Sequence, residues 1–221
     1  DELKQRFPDL WIENCSSGGG RVDLGILSRM DQAWASDNTD PVDRLFIQYG
    51  YLSAFPANTM VSWTTDEDHH NINPSLGYRF DVSMSGVLGI GNDISKWNEK
   101  EIRIAREKIS QYKRIREVVQ KGTSHRLISP FQTNKSAIQY VSMDKKSSVL
   151  FSYNLAEYLN GSSPDIQDKR VTLRGLKPDK YYRIKHLDDN VYRGDHLMNI
   201  GIHWPVEGAN NSVVLEIDQV D

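Results

Sequence analysis

The chain has 221 residues, enough for one large domain or two small ones, and with 38% hydrophobic and 26% charged residues it reads as globular rather than disordered. A net charge of −3 gives no electrostatic case for nucleic acid or an anionic membrane. One cysteine excludes an internal disulfide framework and a cysteine-based zinc site, and no apolar run reaches the length of a membrane span.

Residues 1–7 have the character of a helix end, stopped before Pro8. The start, Asp-Glu-Leu-Lys, lies inside that helix and is expected of a segment from a longer protein, so absent targeting signals carry no weight. Residues 10–14, led by Leu10-Trp11-Ile12, predict a buried strand; 24–30 predict a short helical turn; 32–36 predict a second strand. Pro41 suits the first turn of a helix over 41–55. Met60-Val61-Ser62-Trp63 predicts a third strand, 75–85 a helix, and Val87-Leu88-Gly89-Ile90-Gly91 a fourth strand.

A long helix follows over about 96–121. Asn98 and Glu101 have capping-box spacing, Ile102, Ala105, Ile109, Tyr112, Ile115 and Val119 form one apolar stripe, and Gly122 is a natural stop. Four strand-loop-helix units therefore fill residues 1–122. Beyond Gly122 the rhythm changes to short β-rich runs at 137–141, 148–153, 169–173, 181–186 and 212–217, divided by turns such as Asp144-Lys145-Lys146, Asn160-Gly161 and Lys177-Pro178-Asp179. This predicts an antiparallel β-sandwich over 123–221. A closed (β/α)8 barrel takes about 250 residues, so four units are either a small open sheet or half of a barrel.

Two polar loops stand out at strand ends, where parallel α/β proteins place their chemistry. The first is Glu13-Asn14-Cys15-Ser16-Ser17-Gly18-Gly19-Gly20-Arg21-Val22-Asp23; the second is Trp34-Ala35-Ser36-Asp37-Asn38-Thr39-Asp40. A carboxylic acid against an aromatic ring in a partly dry pocket can act as a general acid, and Asp37 beside Trp34 fits that reading as well as it fits a helix cap. Asp40, directly before Pro41, reads as the N-cap. Cys15 has no histidine placed near it by sequence and reads as a pocket-wall residue. The glycine triplet lets backbone approach a ligand, but no Lys-Ser/Thr follows it, which speaks against a nucleotide P-loop. Arg21 and Asp23 read as a structural pair. Asp66-Glu67-Asp68-His69-His70 reads as a solvated rim at the far end of a substrate rather than a metal site, because adjacent side chains rarely converge on one ion. Trp97 and Trp204 read as core or domain-interface residues.

Read together, the Cys-Ser-Ser-Gly-Gly-Gly-Arg run at 15–21 and the Ser-Asp-Asn-Thr-Asp run at 36–40, continuing to Arg44-Leu45-Phe46-Ile47-Gln48-Tyr49-Gly50, resemble the α-galactosidases (melibiases) of glycoside hydrolase family 36. The Tyr-Lys-Arg-Ile-Arg helix, Leu173-Arg174-Gly175-Leu176-Lys177-Pro178 and Gly194-Asp195-His196-Leu197-Met198 are similar to its C-terminal domain, so the likeness spans nearly the whole chain. The resemblance implies a retaining α-galactosidase: the second half of a (β/α)8 barrel over 1–122, then a C-terminal β-sandwich. It implies Asp37 as general acid/base and Cys15, Gly18, Trp34 and Arg21 at the galactose subsite or behind it. No metal or organic cofactor is implied, and the partners would be α-galactoside oligosaccharides of the melibiose and raffinose type, with neither nucleic acid nor membrane.

The family's attacking Asp lies in a Lys-Trp-Asp motif that this sequence lacks. The piece alone is therefore expected to be inactive, and an open half-barrel, with two bare sheet edges, is expected to self-associate. Residues 66–93 depart from the commoner family pattern, which leaves the leaving-group preference open. The alternatives are a galactosyl transferase of the raffinose-synthase kind, a related α-glycosidase, and a non-catalytic carbohydrate-binding or assembly fragment.

Overall fold

The computed structural model describes residues 1–16, 18–155, 169–185, 187 and 190–220. Ser17 of the first polar loop, the expected Asn160-Gly161 turn and His186 of one expected strand lie outside the described residues.

The first part is a parallel sheet. β1 (Glu13–Asn14), β2 (Gln32–Trp34), β3 (Met60–Thr64) and β4 (Val87–Ile90) stand side by side in chain order, each parallel to the next. Parallel neighbours need a crossover, and α2 (Leu24–Leu27), α3 (Pro41–Tyr51) and α4 (Leu76–Ser83) supply the three. α1 (Glu2–Arg6) precedes β1 and α5 (Glu99–Lys121) follows β4. Side chains alternate across the sheet. Ser62 faces α3, where its hydroxyl meets Gln48. The register then puts Trp34, Val61 and Val87 in one row and Trp63 beside Gly89, on the opposite face.

The apolar run before β1 is not a buried strand. Trp11 is 67% exposed and pairing is confined to Glu13–Asn14. β1 is an edge strand with β2 on one side only, and Leu10–Ile12 run past the residues of β2 that pair.

α5 starts on the expected capping box. Asn98 accepts from the backbone of Lys100 and Glu101, and Glu101 accepts from the Asn98 amide at 2.8 Å. Ala105, Tyr112, Ile115 and Val119 are buried, while Ile102 at the mouth of the stripe is exposed. Gly122 ends the helix with φ −80°, so it is not a left-handed cap. Its constraint is space: a Cβ there would lie 2.4 Å from the Val118 carbonyl oxygen and 2.5 Å from that of Val141.

The second part is antiparallel. β5 (Thr123–Ile128), β6 (Lys135–Val141), β7 (Ser147–Asn154), β9 (Tyr181–Ile184), β10 (Val191–Arg193) and β12 (Ser212–Val220) form a six-stranded sheet in the order β10-β9-β12-β7-β6-β5. β8 (Arg170–Val171) pairs with β11 (Ile202–His203), and α6 (Gly194–Asn199) lies between β10 and β11 in the chain. One face of the large sheet packs Ile138, Tyr140, Val149, Phe151 and Tyr153 against Tyr112, Ile115 and Val119 of α5. The other packs Ala137, Leu150, Leu215 and Ile217 against Val171, Leu173, Leu197 and Ile202. The expected sandwich thus has a thin second layer among the described residues: two strands and α6.

Three tyrosine hydroxyls fasten the antiparallel sheet and α5 to the parallel part. Tyr153 donates to the Asp81 carbonyl at 2.8 Å, Tyr140 to Ser85 at 2.6 Å and Tyr112 to Gly86 at 2.9 Å. The Asp81 carboxylate, almost fully buried, meets Lys108 Nζ at 2.5 Å and Ser212 Oγ at 2.8 Å.

Candidate active site

The polar loops after β1 and β2 meet at Asp37. Trp34, the last residue of β2, donates its indole N–H to Asp37 Oδ1 at 2.9 Å. From the other side comes Gly18, whose φ of +60° favours glycine. A Cβ at Gly18 would lie 2.7 Å from the Asp37 amide nitrogen and 3.0 Å from Oδ2. Gly19 is as tightly placed, since its Cβ would fall 2.2 Å from the Ala35 carbonyl oxygen. The glycines therefore let the first loop lie directly on the second.

This arrangement makes the two Asp37 oxygens unequal. An indole N–H can only donate, so Oδ1 must accept. When the carboxyl is protonated, its proton sits on Oδ2, over Gly18. The site is wetter than the expected dry pocket, because Asp37 is exposed. It is held by a polar ring edge, not shielded by a ring face.

Cys15 is exposed on the same loop. Arg21 is exposed as well, and its carbonyl accepts from Asn14 Nδ2 at 2.7 Å. The expected Arg21–Asp23 pair is absent among the described residues: Asp23 instead caps α2, accepting from the Ile26 amide at 2.8 Å. Asp40 is the N-cap of α3, accepting from the Val42 amide at 2.8 Å and the Asp43 amide at 3.1 Å. Its second oxygen accepts from the His69 amide at 2.8 Å.

The 66–70 loop is a clasp rather than a free rim. Glu67 accepts from the Thr39 amide at 2.9 Å, and His70 Nε2 lies 2.8 Å from Asp43 Oδ1. Asp66 turns away to Asn92, and Asp68 closes its own turn on the Ile72 and Asn73 amides. Asp66 and Asp68 part from the others, while Glu67, His69 and His70 gather about Asp43: His69 Nδ1 lies 3.6 Å from Asp43 Oδ2 and its Nε2 3.6 Å from Glu67 Oε2. Ligand atoms of Asp40, Asp43 and His70 do lie within 4.8 Å of one another, but each carboxylate is already engaged by amides or by Asn38. Burial pushes the Asp43 carboxyl up, yet hydrogen bonds from Asn38 and His70 and the His70 charge hold it below its ordinary value.

Two residues of this neighbourhood escaped the sequence reading. Trp63 lies on the same sheet face as Trp34, 4.8 Å from its ring and against Gly89, where a Cβ would be 2.2 Å from the Trp63 ring. The signal was available: the third strand carries a tryptophan next to its last residue, before a polar loop, and the second ends on one. Arg44 is 1% exposed on α3, with its guanidinium 5.4 Å from the Trp34 ring centroid. No spacing rule marks a buried arginine on an apolar helix face. Of the remaining tryptophans, Trp97 packs edge-on to Phe80, and Trp204 donates to Asn154 Oδ1 at 2.7 Å.

Comparison with known proteins bears on this geometry. The family model described as Melibiase matches residues 1–122, and that described as Glycosyl hydrolase family 36 C-terminal domain matches residues 135–217. Alpha-galactosidase AgaA of Geobacillus stearothermophilus is 37% identical over 95% of this chain and 28% of its own length. Alpha-galactosidase Mel36A of Lactobacillus acidophilus is 37% identical over 94% of this chain and 28% of its own. The crystal structure of the Geobacillus enzyme AgaB superposes with a TM-score of 0.89 at 36% identity, over all of this chain and 30% of that one. A variant of AgaA in complex with raffinose gives 0.89 at 35% identity, with the same coverage. The chain thus spans under a third of the length of the relatives it matches.

Proposed function

The chain belongs to the melibiase family, glycoside hydrolase family 36, and from that premise we propose that it supplies the proton-handling side of a retaining α-galactosidase site, with Asp37 as general acid/base. The observation that carries the proposal is the two-sided hold on Asp37: the Trp34 N–H fixes one oxygen, and the backbone of Gly18 packs so close to the other that a Cβ there would lie 3.0 Å from it. Retaining hydrolysis uses two carboxyls about 5–5.5 Å apart. In the first step a carboxylate attacks the anomeric carbon while Asp37 passes its Oδ2 proton to the departing glycosidic oxygen. In the second, Asp37 takes a proton from the water that releases galactose.

The attacking carboxylate belongs to sequence outside these 221 residues. Support comes from the short span of the relatives that the chain covers and from its match to the family's C-terminal domain. The order β1-β2-β3-β4, with a helix after each strand, supports residues 1–122 as the second half of a (β/α)8 barrel. Placing the boundary to the β-sandwich at 122/123 is supported by the end of α5 at Lys121 and the start of β5 at Thr123. Cys15, Gly18 and Arg21, on the loop that touches Asp37, are assigned to the galactose subsite. The substrates are terminal α-galactosides of the melibiose and raffinose type, the class named by the raffinose complex of a relative.

The test is hydrolysis of a chromogenic α-galactoside and of raffinose by the protein carrying this chain, as wild type and as Asp37→Ala. A large loss on raffinose, partly recovered on the substrate with the better leaving group, is expected. Unchanged rates in the variant would remove Asp37 from the chemistry, and galactose binding without turnover would favour a carbohydrate-binding role.

A further inference from the structure

We infer that Trp63 is the platform for the leaving group: its open ring takes the sugar that departs from galactose. The inference rests on the assignments of Asp37 and of the galactose loop above. It starts from height along the sheet. Trp34 pairs with Val61, so Trp63 stands two residues further toward the carboxyl end, roughly 7 Å above that row. The row itself is closed, since Trp34 and Val61 are both buried. Pairing of β2 stops at Trp34, and the chain then passes Ser36 to reach Asp37. Trp63 therefore stands level with the start of the acid loop, 41% exposed and on the same sheet face as Trp34.

Two glycines hold the ring at this height. A Cβ at Gly89 would lie 2.2 Å from Cδ1 and 2.5 Å from Nε1 of Trp63, and one at Gly91 would lie 3.2 Å from its Cε3. The ring thus rests on bare backbone, with Trp34 beside it at 4.8 Å. No hydrogen bond engages its N–H among the described residues, whereas the N–H of Trp34 is committed to Asp37. An indole with open surface and an uncommitted donor suits a pyranose, which offers apolar C–H groups on one face and hydroxyls at its edge. The end of β3 is tied to the acid loop by the Thr65–Thr39 hydroxyl contact at 2.8 Å and by Glu67 on the Thr39 amide, so platform and acid keep a fixed relation.

Strand order decides which sugar this is. β2, with Asp37 beyond its end, lies between β1 and β3. The loop after β1 is the one assigned to galactose. A general acid stands at the glycosidic oxygen, between the two groups that the bond joins. With galactose on the β1 side, the departing group extends toward β3 and Trp63. The ligand class is a pyranose leaving group, as in melibiose.

The experiment compares kcat/KM on melibiose and on methyl α-galactoside for the protein carrying this chain, as wild type, Trp63→Leu and Trp63→Tyr. Both substrates release an alcohol and need the same proton, but only melibiose offers a second ring to the platform. In Trp63→Leu the melibiose value is expected to fall about 10–30-fold, and the methyl galactoside value by less than about twofold. Galactose, as a product inhibitor, should bind as it does to wild type. Trp63→Tyr restores a ring and should recover most of the melibiose value. Equal or absent losses on the two substrates, or weakened galactose inhibition, would overturn the inference. So would a wild-type enzyme with no preference for melibiose over methyl α-galactoside, a result that needs no variant to fold. Full activity in Asp37→Ala would instead retire the acid assignment, a failure that the substrate ratio does not mimic.

Discussion

The indole N–H of Trp34 binds one carboxylate oxygen of Asp37 at 2.9 Å, and the backbone of Gly18 lies against the other, where a Cβ would come within 3.0 Å. A residue at the end of a strand and a glycine from a neighbouring loop thereby give one carboxyl two chemically different ends. Removing the donor should expose its contribution. In Trp34→Phe, kcat on raffinose is expected to fall roughly 10–100-fold, the kinetic equivalent of one hydrogen bond to a charged group. Steady-state kinetics on raffinose and on an aryl galactoside would check this; equal losses would mean the ring serves packing alone.

Gly18→Ala should be damaging out of proportion to one methyl group. The added Cβ meets the Asp37 amide and carboxyl within 3.0 Å, and the left-handed backbone adds strain. A displacement of Asp37 of the order of 1 Å is expected to cost about 100-fold in kcat. Near-normal melting alongside that loss would locate the effect at the site.

Asp40 acts on stability. Asp40→Ala removes the cap of α3 and the acceptor for the His69 amide, so denaturant unfolding should show a loss of about 2 kcal/mol. Asp40→Asn keeps a cap oxygen and should recover a large part of it.

The clasp over α3 should loosen in acid. Glu67, like Asp43, is pushed up by burial but held below its ordinary value, in its case by the hydrogen bonds from Thr39. Carboxyls lowered in the folded state contribute stability that is fully present above their unfolded pKa and lost as pH falls through the folded one. The melting temperature should therefore drop as pH falls below about 4. Asp43→Asn should flatten that acid limb, and an unchanged slope in calorimetry would refute the account.

At the junction of the two parts, Asp81→Ala should destabilise by about 3 kcal/mol, because it leaves Lys108 and Ser212 without their buried partner. Tyr140→Phe, which frees only the Ser85 carbonyl, should cost about 1 kcal/mol. Both are read by urea denaturation.

Much of this was legible along the chain. The capping box at Asn98 and Glu101, Pro41 after a capping Asp40, and four strands each running into a polar loop are local patterns, and local patterns survive folding. β5 was missed because Thr123–Ile128 is mostly polar and pairs only with β6 at the sheet edge. β10, β11 and α6 were missed because each is short and takes its stability from packing rather than from its own periodicity. The clasp was read as a rim because sequence does not say which way a loop turns.

The sequence by itself determined the family and the two polar loops; Asp37 was singled out by the family resemblance, while its spacing alone left it even between acid and helix cap. These rest on residue order and spacing, which are one-dimensional. Only the tertiary structure decided that Trp34 meets Asp37 by its N–H and not its face, that Oδ2 lies over Gly18, and that a buried Arg44 stands behind the ring. Those relationships depend on side-chain direction between elements distant in the chain, and direction is fixed only when the sheet and its helices pack.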